Sequence, residues 1–319
     1  MALNFGSAEP SAYYLGSDAI TSIYFGDTQV WPVNVFGTEK IYIDPSSSIS
    51  YIWPTSSNSQ TDITNISPNT SLTAGMTIEA MRYSFTASTI IVQDVIPTAG
   101  RVIKFGNYRF AGNSDSNFLY QNSAGNATYS SIFTGSRWSY EIWVKPYLKT
   151  GSINGVTTKG SSPIFGNSFY FTLAIGNPDA NDGSLYLWNR PNFSGNITQS
   201  AFTSQSVVTY NEWNHIVMTC QGTGATALIA NPTASINLYV NGQQVAVNSG
   251  SLPMGAVFKY NGTYSGFQIG KSNVTTGSTG NPVTHWGLMD TSIIRMYNKV
   301  LTANDVLDLY DNTKERYGF

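Results

Sequence analysis

The sequence is poor in charge and in cysteine. Lys, Arg, Asp and Glu together make up 11% of the 319 residues, against about 25% in a typical soluble globular chain. The net charge of -2 comes without any run of basic residues, so we expect no binding to a nucleic-acid backbone. The single cysteine, Cys220, excludes an internal disulfide and a metal site built from several thiolates.

Long apolar runs are missing as well. No stretch approaches the ~18 consecutive apolar residues that a membrane-spanning helix needs, so we predict no membrane insertion. The opening residues MALNFGSAEP have neither a basic start nor an apolar core, and we expect no secretory signal peptide. A protein that works outside a cell without such a signal must leave by another route, and release by lysis within a virus particle is one.

A short repeat stands in the first 35 residues. Residues 14–20 (YLGSDAI) are echoed by residues 24–30 (YFGDTQV), and each copy is typical of a strand, a Gly-polar turn and a second strand. So small a unit buries little core by itself. We therefore predict that residues 1–35 anchor the protein to a partner, although a chance echo in a β-rich tail is the alternative. The side chains expected to make this contact are Tyr14, Leu15, Tyr24, Phe25 and Trp31.

The rest of the chain divides in two. Residues 36–100 are interpreted as a β-rich linker, an arm or a small intermediate domain: residues 44–71 are rich in Ser, Thr, Asn and Pro, whereas residues 76–96 contain two plausible strands. In residues 101–319, short apolar or alternating runs recur between Gly, Asn, Pro and Ser. This rhythm predicts an all-β fold, an antiparallel β-sandwich of the jelly-roll kind.

Two local signals stand out within residues 101–319. Asn241-Gly242 separates two strand-like runs, which is the strongest short signal for a β-hairpin. After Thr302 the pattern changes to that of a single C-terminal helix. Thr302 is the expected N-cap, with Asp305 three residues later. The apolar face of this helix is predicted to consist of Val306, Leu307 and Tyr310.

Four segments resemble, in the same order, those of laminin-G-like, concanavalin A-like domains. They are residues 137–147 (RWSYEIWVKPY), 212–217 (EWNHIV), 236–242 (INLYVNG) and 287–302, which begins GLMD and ends IRMYNKVLT. The resemblance covers roughly residues 102–315 and implies a concanavalin A-like sandwich. It leaves the ligand open, because this fold serves lectins, glucanases and purely structural modules.

Two further segments resemble proteins of tailed bacteriophages. Residues 13–32 (YYLGSDAITSIYFGDTQVWP) are similar to an N-terminal element of phage structural proteins, and residues 311–319 (DNTKERYGF) are similar to the close of lectin-like virion proteins. The resemblance implies a structural protein on the surface of a phage particle, as a head decoration, a head fibre or a tail-associated subunit. It would bind other virion proteins and form a homo-oligomer. The alternative is an adhesin that recognises host surface glycans.

The carboxylate pattern of catalytic relatives is absent. Glucanases of this fold place acidic residues at alternate positions of one strand, because side chains two apart share a face. None of the six glutamates has an acidic residue two positions away. Glu141 lies in the strand-like SYEIWV, where a lone carboxylate is typically solvent-facing or paired. His215 and His285 are far apart and neither has a nearby His or Cys partner, and we expect His215 to be packed or to make a structural hydrogen bond. We predict that the protein is not an enzyme.

Two ligand sites are candidates nonetheless. Aromatic rings stack on sugars, and Tyr186, Trp188 and Trp286 are the candidate glycan-binding residues, although aromatic side chains also fill cores and subunit contacts. No cofactor is expected. Calcium is the one candidate ion, because NPDANDG offers oxygen ligands from Asp179, Asn181 and Asp182. The competing interpretation of this segment is a polar hairpin turn.

Overall fold

The structure is a computed structural model of the chain. It describes residues 13–15, 18–20, 23–25, 28–31, 41–44, 61–64, 77–82, 91–93, 101–105, 117–120, 137–148, 152–153, 156–157, 162–167, 171–177, 180–189, 198–203, 206–222, 234–249, 267–272 and 285–319.

Strands make up most of these residues. The first ten are β1 (Tyr13–Leu15), β2 (Asp18–Ile20), β3 (Ile23–Phe25), β4 (Thr28–Trp31), β5 (Ile41–Ile43), β6 (Thr61–Thr64), β7 (Thr77–Arg82), β8 (Ile91–Gln93), β9 (Arg101–Phe105) and β10 (Asn117–Tyr120). The next seven are β11 (Arg137–Pro146), β12 (Ser152–Ile153), β13 (Val156–Thr157), β14 (Ser162–Asn167), β15 (Phe171–Asn177), β16 (Ala180–Asn189) and β17 (Thr198–Thr203).

The remaining elements complete the order. The strands are β18 (Asn214–Gly222), β19 (Ala234–Val240), β20 (Gln243–Val245), β21 (Val247–Ser249), β22 (Phe267–Ile269), β23 (Lys271–Ser272), β24 (His285–Trp286) and β25 (Met289–Tyr297). They are followed by helix α1 (Ala303–Asp311) and a 3₁₀ turn (Lys314–Tyr317).

Two large antiparallel sheets organise these strands. Sheet I has the order β21-β17-β16-β15-β14-β22-β10-β7-β6, and sheet II has the order β20-β19-β18-β11-β25-β9-β8. Strand β5 joins sheet II by pairing with β25. The predicted all-β antiparallel sandwich with one C-terminal helix is confirmed. Long strands at residues 137–146, 171–177, 180–189, 214–222, 234–240 and 289–297 lie where the short apolar runs of residues 101–319 indicated strands.

The core lies between the two sheets. The side chains of strand β11 alternate between the two faces of sheet II. Tyr140 and Ile142 are buried in the core, whereas Glu141 points to the other face. Strands β14, β15 and β16 of sheet I supply the facing layer. The largest buried side chains of this core include Trp138, Tyr140, Phe105, Phe165 and Ile43. The ring of Tyr140 stacks on Phe165 with a centroid distance of 4.1 Å.

The outer face of sheet II carries a second apolar layer beneath the C-terminal segment. One cluster consists of Val217, Tyr239, Tyr297, Leu301, Val306 and Leu309. A second consists of Val102, Trp143, Trp213, Ile293 and Tyr317, with Tyr42 and Tyr310 packed against it. The face of sheet II that would otherwise meet water is therefore covered, and strand β11 is buried on both sides.

Helix α1 begins as the sequence predicts. Thr302 Oγ1 accepts a hydrogen bond from the Asp305 backbone N–H, and the Asp305 carboxylate accepts one from the Thr302 N–H, which is a capping box. The predicted apolar face needs one correction. Val306 and Leu309 are the buried residues, whereas Leu307 is 38% exposed and lies beside Gly242 of the β19–β20 turn. No helix among the described residues is long and apolar enough to span a membrane.

The Asn241-Gly242 hairpin is also confirmed. Both residues have positive φ, 50° and 77°, as a tight hairpin turn between β19 and β20 requires. A Cβ on Gly242 would meet the Tyr310 side chain at 3.0 Å. The glycine therefore serves the turn and the close approach of α1 at the same time.

The repeat near the N-terminus forms two hairpins, as predicted. Strand β1 pairs with β2, and β3 pairs with β4, in both cases across a two-residue connection. Each hairpin is a separate two-stranded sheet. The anchoring role assigned to these residues stays a prediction.

Strands from within residues 36–100 are built into the two large sheets. Strand β5 pairs with β25, and β8 pairs with β9, all in sheet II. Strands β6 and β7 extend sheet I beyond β10. Interpreting residues 44–71 as a linker missed β6, because a four-residue strand rich in Thr has no apolar run to mark it. The proposed boundary near residue 100 stays a prediction about folding units.

Candidate functional site

The first candidate site is the buried carboxylate of Glu141. The antiparallel register places Glu141 of β11 opposite Arg295 of β25 on one side and opposite Val217 of β18 on the other. Side chains two apart share a strand face, so Tyr297 lies on the same face as Arg295. On β18, His215 shares the strand face of Val217, so Glu141, Arg295, Tyr297 and His215 are gathered on the outer face of sheet II, beneath the apolar layer that α1 completes.

Both carboxylate oxygens of Glu141 accept hydrogen bonds from neighbouring side chains. Its Oε1 accepts hydrogen bonds from Arg295 Nη1 at 2.8 Å and from His215 Nε2 at 3.2 Å. Its Oε2 accepts one from the Tyr297 hydroxyl at 2.8 Å. Because an ionised carboxylate only accepts, His215 carries its proton on Nε2. Its Nδ1 is buried without a hydrogen-bond partner among the described residues.

The electrostatics of this group favour the charged form. Burial alone would raise the pKa of Glu141, whose side chain is 0% exposed. The positive charge of Arg295 and the hydrogen bonds from His215 and Tyr297 outweigh that effect and lower the pKa to about 2. A general acid needs a carboxyl group that stays protonated near neutral pH. Glu141 is instead a carboxylate whose lowered pKa keeps it ionised near neutral pH, and its side chain is 0% exposed.

Aromatic rings seal this group from water. Trp143 stacks on Tyr317 with a centroid distance of 4.0 Å, and its Nε1 donates to Thr313 Oγ1 at 3.0 Å. The ring of Tyr310 lies 5.9 Å from that of Trp143 and 5.9 Å from that of His215. Sequence reasoning predicted that Glu141 is solvent-facing or paired, and pairing is what the structure shows. It missed Arg295, Tyr297 and Thr313, because only the strand register reveals them.

The N-terminal side of the chain is tied to the same layer. Arg316 donates to both carboxylate oxygens of Asp44, at 2.7 and 2.8 Å. The guanidinium of Arg295 lies 4.5 Å from the centroid of the Tyr42 ring. Strand β5 and its flank are therefore fastened to the C-terminal 3₁₀ turn and to β25 by charge as well as by backbone pairing.

The second candidate site lies at one end of sheet I, around Gly183. Asp182 is half-buried, and its Oδ2 accepts a hydrogen bond from the Tyr186 hydroxyl at 2.8 Å. Its Oδ1 accepts one from the Ser184 backbone N–H at 3.1 Å. Tyr210 makes a hydrogen bond with the backbone of Gly183, the residue after Asp182. Burial raises the pKa of Tyr210 to about 12, with smaller effects from that hydrogen bond and from Asp182 and Tyr186.

This arrangement bears on the predicted calcium residues. Both carboxylate oxygens of Asp182 are engaged by neighbouring donors, which is the pattern of a polar turn. Asp179 and the side chain of Asn181 lie outside the described residues. Among the residues that are described, no group of three or more His, Cys, Asp and Glu side chains is placed to hold a metal ion. A calcium site at Asp179, Asn181 and Asp182 stays a prediction.

The predicted glycan-binding residues have different outcomes. The structure brings Tyr186 to Asp182, but Tyr186 is only 6% exposed. A ring buried to that degree has no free face for a sugar, so the expectation of an exposed stacking surface does not fit Tyr186. The side chains of Trp188 and Trp286 lie outside the described residues, and glycan contact through them stays a prediction.

Comparison with known proteins gives a family. The family model described as the concanavalin A-like lectin/glucanases superfamily, Laminin_G_3, matches residues 120–307, which is more than half of the chain. A search of the curated proteins found no match.

Solved structures show weaker likenesses. The binding domain of botulinum neurotoxin DC in complex with rat synaptotagmin II is similar with a TM-score of 0.48 and 12% identity, over 87% of this chain and 52% of that one. The binding domain of botulinum neurotoxin serotype C1 gives 0.48 and 13%, over 88% and 53%. A Trypanosoma rangeli sialidase gives 0.45 and 12%, over 88% and 34%. The chain thus spans about half the length of the binding domains, and at these scores the likenesses assign no function.

Proposed function

The chain belongs to the concanavalin A-like lectin/glucanases superfamily, and from this premise we propose that it is a non-enzymatic structural protein of a bacteriophage virion. It presents its lectin-like sandwich on the surface of the particle, as a head decoration, a head fibre or a tail-associated subunit. Residues 1–35 hold it in place among other virion proteins, and copies of the chain associate with one another.

The observation that carries the non-enzymatic part is the state of Glu141. In strands of this fold, hydrolysis needs two accessible carboxylates, one of which changes its protonation during the reaction. Glu141 is the glutamate of β11, and it is fully buried, ionised and bonded to three donors. Its role is to hold β11, β18 and β25 together. This state of Glu141 supports a function carried by binding at the surface of the sandwich.

The virion part is supported by the two hairpins near the N-terminus. Isolated two-stranded hairpins are marginally stable in water, and β1–β2 and β3–β4 are each two-stranded. Such elements gain stability by docking on a partner. Together with the resemblance of residues 13–32 to phage structural proteins, this supports an anchoring role for residues 1–35.

The anchoring role is tested by deletion. We expect that removing residues 1–35 abolishes incorporation of the protein into particles, measured by quantitative mass spectrometry of purified virions. The matched control replaces the exposed Glu212 by Gln, which leaves the anchor untouched and should leave incorporation at the wild-type level. Incorporation of the deletion variant at that same level would contradict the proposal.

The non-enzymatic assignment has its own test. Purified protein is incubated with a panel of surface polysaccharides, and the release of reducing sugar is measured against a heated sample. We expect no release above that background. Release that is lost in the Glu141→Gln variant while its fold is retained would overturn the structural role of Glu141.

Carbohydrate binding is the second candidate function, because the chain belongs to a superfamily of lectins and glucanases. On this alternative the protein is an adhesin or a receptor-binding module for host surface glycans. We then expect binding on a glycan array that is lost in Trp188→Ala or Trp286→Ala but kept in Tyr186→Phe, which preserves the ring. Repeating the array with a calcium chelator tests the residues Asp179, Asn181 and Asp182.

A further inference from the structure

Strand β5 is the first strand of the two large sheets that the chain reaches after the N-terminal hairpins. Among the described strands it pairs only with β25, opposite residues 294–296. Strand β9 pairs with the same edge of β25 at a different place, opposite residues 289–291. Because β5 is short and has one neighbour, a pull on the N-terminal hairpins acts on a weakly paired strand before it acts on any other strand of the sandwich.

Side-chain contacts add to this pairing at the end of β5. Asp44 directly follows the strand, and Arg316 of the C-terminal 3₁₀ turn donates to both of its carboxylate oxygens, at 2.7 and 2.8 Å. Arg316 Nη2 also donates to Ser292 Oγ at 3.3 Å. Ser292 lies between the part of β25 that pairs with β9 and the part that pairs with β5. The guanidinium of Arg316 therefore bridges the end of β5 and the middle of β25.

The turn that carries Arg316 has its own attachment to the sandwich. The ring of Tyr317 stacks on Trp143 of β11 with a centroid distance of 4.0 Å and lies 4.9 Å from the ring of Trp213. Trp143 Nε1 also donates to Thr313 Oγ1 at 3.0 Å, just before the turn. These contacts are made with β11 and with the residue before β18, so they hold Arg316 in place without the help of β5.

Two ion pairs of this turn differ in their exposure. The side chains of Arg316 and Asp44 are 21% and 12% exposed, whereas those of Lys314 and Asp311 are 36% and 47% exposed. A bidentate pair that is partly shielded from water is stronger than a single exposed contact, which water and salt screen. Only the first of these two pairs reaches β5, since Asp311 belongs to α1. The turn thus combines a contact that can hold β5 with one that cannot.

We propose that Arg316 and Asp44 form a latch on β5, and that opening of this contact lets β5 leave sheet II and lengthens the connection to the N-terminal hairpins. The latch rests on the proposed function, in which residues 1–35 are the anchor. While β5 is paired, the connection is residues 32–40, which span up to about 30 Å when extended. After release it continues to β6, and residues 32–60 span up to about 100 Å. The latch therefore sets how far the sandwich can stand from its anchor.

Hydrogen–deuterium exchange of the full-length chain, measured by mass spectrometry, reports the opening of β5 separately from the rest of sheet II. Arg316→Gln removes the charge and the bidentate contact. We expect peptides that cover residues 41–44 to exchange roughly tenfold faster or more than in the wild type, whereas peptides of β18 keep their wild-type rate. Arg316→Lys keeps the charge but loses the planar fork, and it should give a smaller increase.

Two further variants separate the latch from a general effect of charge. Lys314→Gln removes the same charge from the same turn, but its partner is Asp311, so β5 should exchange as in the wild type. Asp44→Asn should accelerate the exchange of β5 as Arg316→Gln does. The double variant should add nothing to the larger of the two single effects, because both substitutions break one contact.

Proteolysis gives an independent measurement of the same opening. Lys40 directly precedes β5 and is the only Lys or Arg in the first 60 residues. A protease needs an open chain on both sides of the bond that it cuts, so the rate at which trypsin releases residues 1–40 follows the opening of β5. We expect this release to be roughly tenfold faster in Arg316→Gln and unchanged in Lys314→Gln.

Three results would overturn the latch. Unchanged exchange of residues 41–44 in both Arg316→Gln and Asp44→Asn means that backbone pairing alone holds β5. Exchange that is accelerated equally in β5 and β18 means that Arg316 supports the whole domain. An equal acceleration by Lys314→Gln assigns the effect to net charge. All of these measurements use purified protein, so the virion role is judged separately, by incorporation of the chain into particles.

Discussion

Glu141 and Asp182 are two carboxylates in the strands of one sandwich, and they differ in burial and in the groups that donate to them. Glu141 is 0% exposed and is held by a guanidinium, an imidazole and a phenol. Asp182 is half-buried at the end of sheet I and is held by a phenol and a backbone N–H. The difference follows from solvation. A fully buried anion needs a nearby cation, whereas a partly hydrated one needs only neutral donors.

This difference separates a structural group from a surface group. Glu141 links three strands of sheet II and the layer beneath α1, so a change there should spread through the domain. Asp182 organises one turn, and water can replace a lost partner. We therefore expect large effects on stability at Glu141 and small ones at Asp182, a ranking that variants around both carboxylates can test.

The largest effect is expected for Glu141→Gln. The amide keeps the shape of the side chain but removes the charge, and so leaves the Arg295 guanidinium buried without its anion. Breaking a buried pair in this way costs about 3–5 kcal/mol of the free energy of unfolding, measured by urea denaturation. The control Glu212→Gln changes an exposed residue and should stay within about 0.5 kcal/mol. A loss below about 1 kcal/mol at Glu141 would mean that the pair is not the main support of this layer.

The second prediction concerns pH. The pKa of Glu141 is lowered in the folded protein from 4.5 to about 2, because the effect of burial, which raises it, is outweighed by the Arg295 charge and two hydrogen bonds. A lowered folded-state pKa gives stability that is present above the ordinary pKa and is lost as pH falls through the folded value. We expect Glu141 to contribute roughly 3 kcal/mol that disappears between about pH 4.5 and pH 2.

This contribution is measured as the difference between two pH profiles. Urea denaturation is repeated across the acidic range for the wild type and for Glu141→Gln. The profile of the variant should be flatter over that interval, since the substituted amide does not titrate. Two parallel profiles would show that other carboxylates govern acid unfolding.

The third prediction tests the turn around Asp182. Gly183 has a φ of +66°, and a Cβ there would lie 2.4 Å from both Ser206 Oγ and the Val208 carbonyl oxygen. Gly183→Ala should therefore cost about 2–3 kcal/mol, from left-handed backbone strain and from the clash. Gly318 has a similar φ, +87°, but no atom within 4 Å. Gly318→Ala should lower the free energy of unfolding by only about 1 kcal/mol. Both variants are compared with wild type by thermal denaturation, and equal losses of stability would exclude the clash.

The smallest effect is expected for Tyr186→Phe. This change removes the hydroxyl that donates to Asp182, and water can take its place at the half-buried carboxylate. We expect a loss of about 1 kcal/mol in urea denaturation. Tyr140→Phe is the matched comparison, because the Tyr140 hydroxyl donates to the buried Ile164 carbonyl at 2.8 Å. It should cost up to about 3 kcal/mol, and the reverse order of the two variants would contradict the ranking.

Local pattern accounted for much of the fold. The Asn241-Gly242 turn, the Thr302 cap with Asp305 and the two N-terminal hairpins were all readable, because each depends on residues close together in sequence. Because side chains alternate along a strand, Trp138, Tyr140 and Ile142 lie together on the core side of β11. What local pattern could not show is that the other side is buried too, by a helix near the far end of the chain.

The candidate sites were harder to predict from the sequence, because the residues that form them are distant from one another along the chain. Tyr186 was predicted as an exposed stacking ring, yet it is only 6% exposed and its hydroxyl donates to Asp182. Asp44 and Arg316 are far apart in sequence, and nothing local pairs them.

The sequence by itself determined the antiparallel sandwich, its turns and its terminal helix, because hydrophobic period, turn residues and caps are local physical signals. It also established that no second carboxylate lies two positions from any glutamate. Only the tertiary structure decided that Glu141 is an internal ion and not a surface group. Strand register brings Arg295, His215 and Tyr297 to it, and α1 then excludes the water that would otherwise have solvated it.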